Sequence, residues 1–496
     1  MKEIPEEQVV RRIKAENPWW QPPHTILDSE QKLPRRAYLD LFQPLVVQRE
    51  VRRAAILLGP RRVGKTVLIH HAIHELLTSG IAPTEIVYFS VDHPLYNGLG
   101  LEELLALYGK ASGIDYEREP AFAFFDEIQY LKDWETHLKA LVDGYPHLRF
   151  IASGSAAAAL RMKSLESGAG RFTDFLLPPL TFHEYLMILG KEDRLVQTEE
   201  PQKPGTRSYS APDIDQLNTA FVHYLNFGGY PEVVLSEAIQ ADPARFIKAD
   251  IIDKVLLRDL PSLYGIQDIQ ELNSLFTTLA YNTADEVSLE SLSQGSGVAK
   301  NTLKRYIEYL EAAFLIKVVH RIDRAGRSFQ RANFFKVYLT NPSMRSALFA
   351  PLSADDEAIG SLAETGILSQ WFHSTQPLRY ARWHHGEVDI VLTAGSRVVW
   401  AVEVKWSDRI VNHPEELKSL LTFCKQNRLD KTLVTTRSTS RRRTIEGIDV
   451  QFTPASLYCY TVGRNLIEGR GRLGTIGDLQ PPQGPPAEPP AARKDS

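Results

Sequence analysis

Between about residues 46 and 175, short apolar runs alternate with amphipathic stretches. AAILL at 54–58 precedes VLIHHAIHELL, EIVYFSVD precedes a helical pattern around Leu101 to Ala111, and AFAFFDE precedes another from Trp134 to Val142, before RFIASG. Continuous apolar runs predict central parallel strands, and their alternation with helices predicts a parallel α/β sheet covered on its faces. Pro178-Pro179 breaks the pattern. Residues 180 to 265 then predict mostly helices, with a polar, proline-containing interruption at about 197 to 213. Gly228-Gly229-Tyr230-Pro231-Glu232 supplies a turn between two of them.

Residues 268 to 322 predict a winged helix. A helix around Leu272 to Ala280 is followed by SLESL, a glycine turn at Gly297, a second helix to Leu310 and the strand-like LIKVV. The second helix carries Lys300, Asn301, Lys304 and Arg305, side chains suited to phosphates or base edges. Packing against a protein partner is the alternative use of such a helix. The last third offers a helix-like SLAETGILSQWF and two strand candidates, GEVDIVL and VWAVEVK, joined across Gly395.

One turn in this pattern carries chemistry. Gly59, Pro60, Arg61, Arg62, Val63, Gly64, Lys65 and Thr66 read GPRRVGKT, between a buried strand and a helix start. That setting aims backbone N–H groups and a helix dipole at one point, as a triphosphate requires. Lys65 is expected on the β- and γ-phosphates and Thr66 on Mg²⁺. Asp126 and Glu127, ending AFAFFDE, are expected to hold Mg²⁺ through water and to orient or deprotonate the attacking water. Ser155 is the candidate γ-phosphate sensor, against the alternative of a plain strand-to-helix serine. Arg171 is a candidate arginine finger, acting within the chain or on a neighbouring subunit, against the alternative of a salt bridge. No guanine-reading NKxD run is visible.

Composition narrows the partners. The chain has 496 residues, long enough for three or four domains. With 57 basic and 61 acidic side chains, no global field favours nucleic acid, so any basic surface is local. Cys424 and Cys459 are far apart, which suggests neither a disulfide framework nor a zinc site and fits a reducing cytoplasm. The N-terminus lacks a secretory apolar core, and no apolar stretch approaches ~18 residues, so no membrane association is expected. The paired Trp19 and Trp20 are expected to dock on the body rather than to stack on bases.

A second constellation lies near the end. Strand alternation puts Glu403 and Lys405 on one face, and Asp389 lies one hairpin away. Two carboxylates and an ammonium can then converge, with Asp389 and Glu403 on Mg²⁺ or Mn²⁺ and Lys405 activating water against a phosphodiester. Glu364 is expected to add a further carboxylate. A salt-bridged pair on an exposed strand is the alternative. Arg441, Arg442 and Arg443, with Arg437, form the densest local positive charge, suited to a nucleic-acid backbone or simply facing water.

LLGPRRVGKT, FFDEIQ, ASGS, GRF, PLTFHEYL, GGYPEVV, RDL, GEVDIVL and AVEVKWS together resemble the prokaryotic AAA-type P-loop ATPases. In these, a C-terminal domain of unknown function (DUF4143) ends in a PD-(D/E)xK nuclease-like module. The likeness spans roughly residues 50 to 460. It implies ATP as the nucleotide, Asp126 and Glu127 as the Walker B pair, and Asp389, Glu403 and Lys405 as the nuclease motif. The expected fold class is α/β multidomain. An N-terminal extension (1–45) leads to a P-loop parallel-sheet ATPase domain (46–178), a helical lid (179–266) and a winged helix (267–325). A restriction-endonuclease-like α/β domain (326–477) and a disordered proline-rich tail (478–496) follow. The expected function is ATP-driven action on DNA, by a monomer or a homo-oligomer. The competing expectation is an ATP-gated interaction protein whose nuclease-like fold is inactive.

Overall fold

The computed structural model describes residues 5–155, 170–199, 208–328 and 333–468, apart from positions 373, 375, 376 and 396. The tail expected at 478–496 lies outside the described residues. Strands β1 (Ala54–Leu58), β2 (Ile86–Ser90), β3 (Ala121–Asp126), β4 (Leu148–Gly154) and β5 (Phe172–Leu176) form one parallel sheet, in the order β2-β3-β4-β1-β5. Every residue of β1, β3 and β4 is buried, which is why their sequences are mainly apolar. The apolar runs do not announce β5. It lies at the sheet edge, is only partly covered, and its FTDFL mixes polar and apolar positions.

The N-terminal extension docks on this sheet. Val9 and Ile13 of helix Glu6–Glu16 are buried, and Asn17 exchanges side-chain hydrogen bonds with the Tyr88 backbone at 2.9 and 2.7 Å. The indole N–H groups of Trp19 and Trp20 both donate to the Ile86 carbonyl, at 3.1 and 2.8 Å. Farther on, Arg36 is buried at 4% exposure. Its guanidinium donates to both carboxylate oxygens of Glu184 at 2.7 and 3.0 Å, to the Val63 carbonyl at 2.6 Å and to the Pro178 carbonyl at 3.0 Å. One side chain thus joins the extension, the glycine loop and the segment after Pro178-Pro179.

That segment is mainly helical. Helix Phe182–Ile188 starts with a Thr181/Glu184 capping box, and helix Ile214–Phe227 with Asp213, which accepts from two backbone N–H groups. The polar interruption between them forms a short hairpin of β6 (Gln197–Glu199) and β7 (Ser208–Ser210). Residues Ala244–Asp253 and Val255–Asp259 are wound as π-helix.

The remaining strands form one sheet of nine. They are β8 (Glu286–Ser288), β9 (Ile316–Ile322), β10 (Phe334–Leu339), β11 (Leu378–Trp383), β12 (Gly386–Ala394), β13 (Arg397–Glu403), β14 (Lys431–Thr436), β15 (Arg441–Ile445) and β16 (Ile448–Pro454). Their order is β15-β16-β14-β13-β12-β11-β9-β10-β8. Helices Ile269–Tyr281, Leu289–Ser296 and Lys300–Ala312 accompany β8, β9 and β10. Because β11 adds in parallel to β9, the strand expected of the winged helix runs straight into the C-terminal sheet. The boundary expected at 325/326 falls between β9 and β10, which pair over five residues. In the C-terminal part, helix Ile359–Trp371 precedes antiparallel β11, β12 and β13, and helix Lys418–Gln426 precedes β14, which is parallel to β13. Helix Ala455–Glu468 is the last described element, and both cysteines are buried and free.

Removing one partner of a buried ion pair strands the other charge. Replacing Arg36 by Met is therefore expected to destabilise the protein by about 3–5 kcal/mol. The check is a lower urea midpoint followed by tryptophan fluorescence.

Candidate nucleotide site and C-terminal charge cluster

The glycine loop begins where β1 ends. A Cβ on Gly59 would lie 2.2 Å from the Leu177 carbonyl oxygen, and Gly64 holds φ at +91° directly before helix Lys65–Thr78. Both positions demand glycine, one for space and one for backbone conformation. Lys65 is buried, and its ammonium donates to the Gly59 and Pro60 carbonyls at 3.1 and 2.9 Å. Burial lowers its pKa, against the opposing pull of Glu127 and Asp126.

Asp126 is the hub beside the loop. One of its oxygens accepts from Thr66 Oγ1 at 2.6 Å and from the Tyr88 hydroxyl at 2.9 Å, and the other accepts from the Ser153 hydroxyl. The Thr66 hydroxyl and the Asp126 carboxylate adjoin each other, an all-oxygen pair that suits Mg²⁺. Glu127 sits at φ +57°, a conformation that costs a non-glycine residue about 1–2 kcal/mol. Its N–H donates to Ser153 Oγ at 3.1 Å, which helps to hold that conformation. Gln129 donates to the Glu127 carboxylate and accepts the Ser155 N–H at 3.2 Å. The Ser155 hydroxyl itself is buried without a hydrogen-bond partner.

Three expectations at this site change. Arg61 and Arg62 are expected on the nucleotide, yet Arg61 makes a double hydrogen bond to Asp259 at 3.0 and 3.1 Å. Arg62 reaches Glu232 at 2.9 Å and Asp250 at 3.1 Å. Their side chains face carboxylates of the helical region. Arg171 precedes β5, in register with the start of β1, so it sits at the opposite end of the sheet from the loop. There it pairs with Asp143, and within one chain it is not a finger.

In the C-terminal part, Gly395 at φ +60° turns β12 into β13, and the register pairs Ile390 with Val402. Asp389 and Glu403 thereby lie side by side. Asp389 Oδ2 accepts the Val404 N–H at 2.8 Å, and Lys405 lies 2.8 Å from Glu403 and 3.8 Å from Asp389. Burial and the Asp389 charge push the Glu403 carboxyl up to about 8. Its Oε2 is buried with no partner.

The cluster contains a residue that the motif does not. Lys336, on β10 and 3% exposed, lies 2.8 Å from Glu387, 3.0 Å from Glu364 and 3.6 Å from Asp389. Tyr338, two residues on and therefore on the same strand face, donates to Glu364 at 2.6 Å. Glu364, expected to be a metal ligand, is thus engaged by Lys336 and Tyr338. Burial raises its carboxyl to about 7 even against the Lys336 charge. Among the described residues, no three His, Cys, Asp or Glu side chains converge in a geometry that holds a metal ion. Asp389 and Glu403 remain as the donor pair, and the orphaned Glu403 oxygen fits a cation between them.

The expected DNA-contacting residues divide. Asn301, Lys304 and Arg305 are exposed on helix Lys300–Ala312, with Lys304 4.0 Å from Glu308, while Lys300 pairs with Glu290. The arginine triplet lies on β15, where alternation splits it between two faces. Arg442 is bonded to Asp449 and Arg443 donates to the Val411 carbonyl at 2.7 Å, so the triplet is not one basic patch. Sequence reasoning missed Tyr88, Gln129, Ser153, Glu387, Lys336 and Tyr338. Gln129, Ser153 and Glu387 lie inside motifs, FFDEIQ, ASGS and GEVDIVL, that pointed near them.

Residues 51–186 match the AAA domain family, and an AAA domain holds the nucleotide site. Residues 218–357 and 359–458 match two domains of unknown function, DUF8612 and DUF4143. An uncharacterized protein of Methanocaldococcus jannaschii is 25% identical over 359 residues, covering 68% of this chain and 72% of the relative. One of Haemophilus influenzae is 24% identical over 332 residues, covering 64% and 74%. Among solved structures, the ORC1 protein of Aeropyrum pernix in complex with DNA aligns with 67% of this chain and 95% of that chain. At 14% identity and a TM-score of 0.30, that likeness carries no argument. No helix among the described residues is long and apolar enough to cross a membrane.

A charge-assisted hydrogen bond is worth about 1.5–3 kcal/mol. Lys65→Ala is therefore expected to weaken ATP binding by about 10- to 150-fold, measured with a fluorescent analogue.

Proposed function

We propose that this chain is an ATP-hydrolysing protein that acts on DNA, and that its C-terminal module binds or cleaves DNA with a divalent metal. Lys65 leaves its loop carbonyls for the β- and γ-phosphates, and Thr66 and Asp126 hold Mg²⁺. When bound, Mg²⁺ would neutralise negative charge on the β- and γ-phosphates. Glu127 orients or deprotonates the attacking water, and Gln129 couples its carboxylate to Ser155. Arg61 and Arg62 carry the state of the loop to Asp259, Glu232 and Asp250 in the helical region, so loss of the γ-phosphate is felt outside the sheet.

The observation that carries the DNA half is the meeting of Asp389, Glu403 and Lys405 on the β12–β13 hairpin. The order helix, three antiparallel strands, helix, parallel strand supports a restriction-endonuclease-like reading. There Asp389 and Glu403 hold Mg²⁺ or Mn²⁺, and Lys405 positions the water that attacks the phosphodiester. Asn301, Lys304 and Arg305 offer exposed contacts to the DNA backbone. A second reading, an ATP-gated interaction protein with an inactive nuclease-like site, is favoured by the loss of Glu364 to Lys336 and Tyr338.

Glu127→Gln is expected to lower ATP turnover by about 10²–10⁴-fold while nucleotide binding persists, as phosphate release and analogue binding will show. Labelled linear, single-stranded and branched DNA, with Mg²⁺ or Mn²⁺ and with or without ATP, tests the second site. Cleavage by wild type that falls about 10²-fold or more in Lys405→Ala supports a working nuclease. Intact DNA with ATP still hydrolysed favours the second reading. A protein that neither binds DNA at modest salt nor changes its ATPase rate with DNA sinks the DNA assignment altogether.

A further inference from the structure

Phosphodiester-cleaving sites with two metal ions place them about 3.5–4 Å apart, with carboxylates around both. In this cluster Asp389 has two differently occupied sides. Its Oδ2 faces Lys405 and the Val404 N–H, next to the orphaned Glu403 oxygen. Its Oδ1 faces Lys336, whose ammonium also touches Glu387 and Glu364. A second ion would need those same three carboxylates.

From this we infer that the C-terminal site takes one divalent ion, held by Asp389 and Glu403, and that the Lys336 ammonium permanently fills the place of a second. The inference rests on the metal-dependent reading proposed above. An ammonium has three donors, and three carboxylates surround this one. Lys336 is fixed on a buried strand inside the nine-stranded sheet, so it is not displaced by turning to solvent. At the outer rim Arg321 and Arg382 share Glu286, and Arg382 also reaches Glu387 at 3.3 Å. Inside that rim four carboxylates, Glu364, Glu387, Asp389 and Glu403, face two ammonium groups, Lys336 and Lys405. Lys336 lies in the 218–357 family match and the carboxylates in the 359–458 match. The cluster is therefore completed by the strand that pairs with β8 and β9, and a fragment beginning after residue 358 lacks Lys336. Lys336 is a positioning residue: it holds Glu364, Glu387 and one side of Asp389 away from metal.

The test counts Mn²⁺ bound per full-length chain by electron paramagnetic resonance, without nucleotide, in wild type, Asp389→Asn, Lys336→Met and Glu364→Gln. Subtracting the Asp389→Asn count removes any ion at the AAA site. Wild type is expected to exceed Asp389→Asn by one ion and Lys336→Met by two, and Glu364→Gln is expected to keep the wild-type count and affinity. Two ions in wild type overturn the inference, as does a count of one that is unchanged in Lys336→Met. No ion in wild type or in Lys336→Met overturns the metal-dependent reading itself. An ion present only in Lys336→Met shows that the ammonium blocks the whole site and overturns the single-ion assignment. If Lys336→Met does not fold, Glu364→Gln decides. An affinity loss of tenfold or more makes Glu364 a ligand and the inference wrong.

Discussion

The contact on which the rest depends is the buried pair of Arg36 and Glu184. A guanidinium out of water is tolerated only if its donors are satisfied, and here they meet a carboxylate and two backbone carbonyls. The partners come from three parts of the chain. Glu184 also accepts from the Thr181 and Ala37 N–H groups, so the same carboxylate caps a helix and anchors the extension. The geometry of the glycine loop, whose Val63 carbonyl is held by Arg36, is thus set by residues on either side of the sheet domain in sequence. A loop that must form on an exact template of backbone N–H groups gains rigidity from such a clamp.

Lys336 plays the corresponding part at the other end of the molecule. Like Arg36 it is a buried cation that brings together acids from separate segments, and the sheet supplies the framework. β10 pairs with β9, β9 with β11, and β11 with β12, so the strand bearing Lys336 and the strand bearing Asp389 belong to one rigid surface. The P-loop arginines form a third link, from the loop to Asp259, Glu232 and Asp250. Through these three links the nucleotide site is tied to the helical region, and the strands after residue 286 to the C-terminal cluster.

Much of this was legible beforehand, for identifiable reasons. β1 to β4 are buried on both faces, so burial wrote itself into the sequence as unbroken apolar runs. Lys65, Thr66, Asp126 and Glu127 follow those strands at fixed offsets, because a phosphate site needs a strand end and a helix start together. Asp389, Glu403 and Lys405 were legible because two-residue alternation and a short hairpin fix their faces. Alternation equally predicts that three consecutive arginines on β15 cannot share a face, a consequence that shows only once that segment is known to be a strand. β5 was hidden because an edge strand has weak patterning. The partners of Arg61 and Arg62 were hidden because a loop motif specifies its backbone, whereas the direction of its variable side chains depends on what packs above.

By itself the sequence determined some local pieces: where the buried strands β1 to β4 and the β12–β13 hairpin run, where the phosphate loop lies, and which carboxylates follow those strands. These are properties of neighbouring residues, governed by backbone geometry and by burial periodicity. Only the tertiary structure decided which acid meets which base. Asp259 is 198 residues from Arg61, Glu184 is 148 from Arg36, and Glu364 is 28 from Lys336 across a sheet that joins regions with separate family matches. Charge pairing in a buried site depends on distances of a few ångströms between segments remote along the chain, and no local pattern encodes those distances.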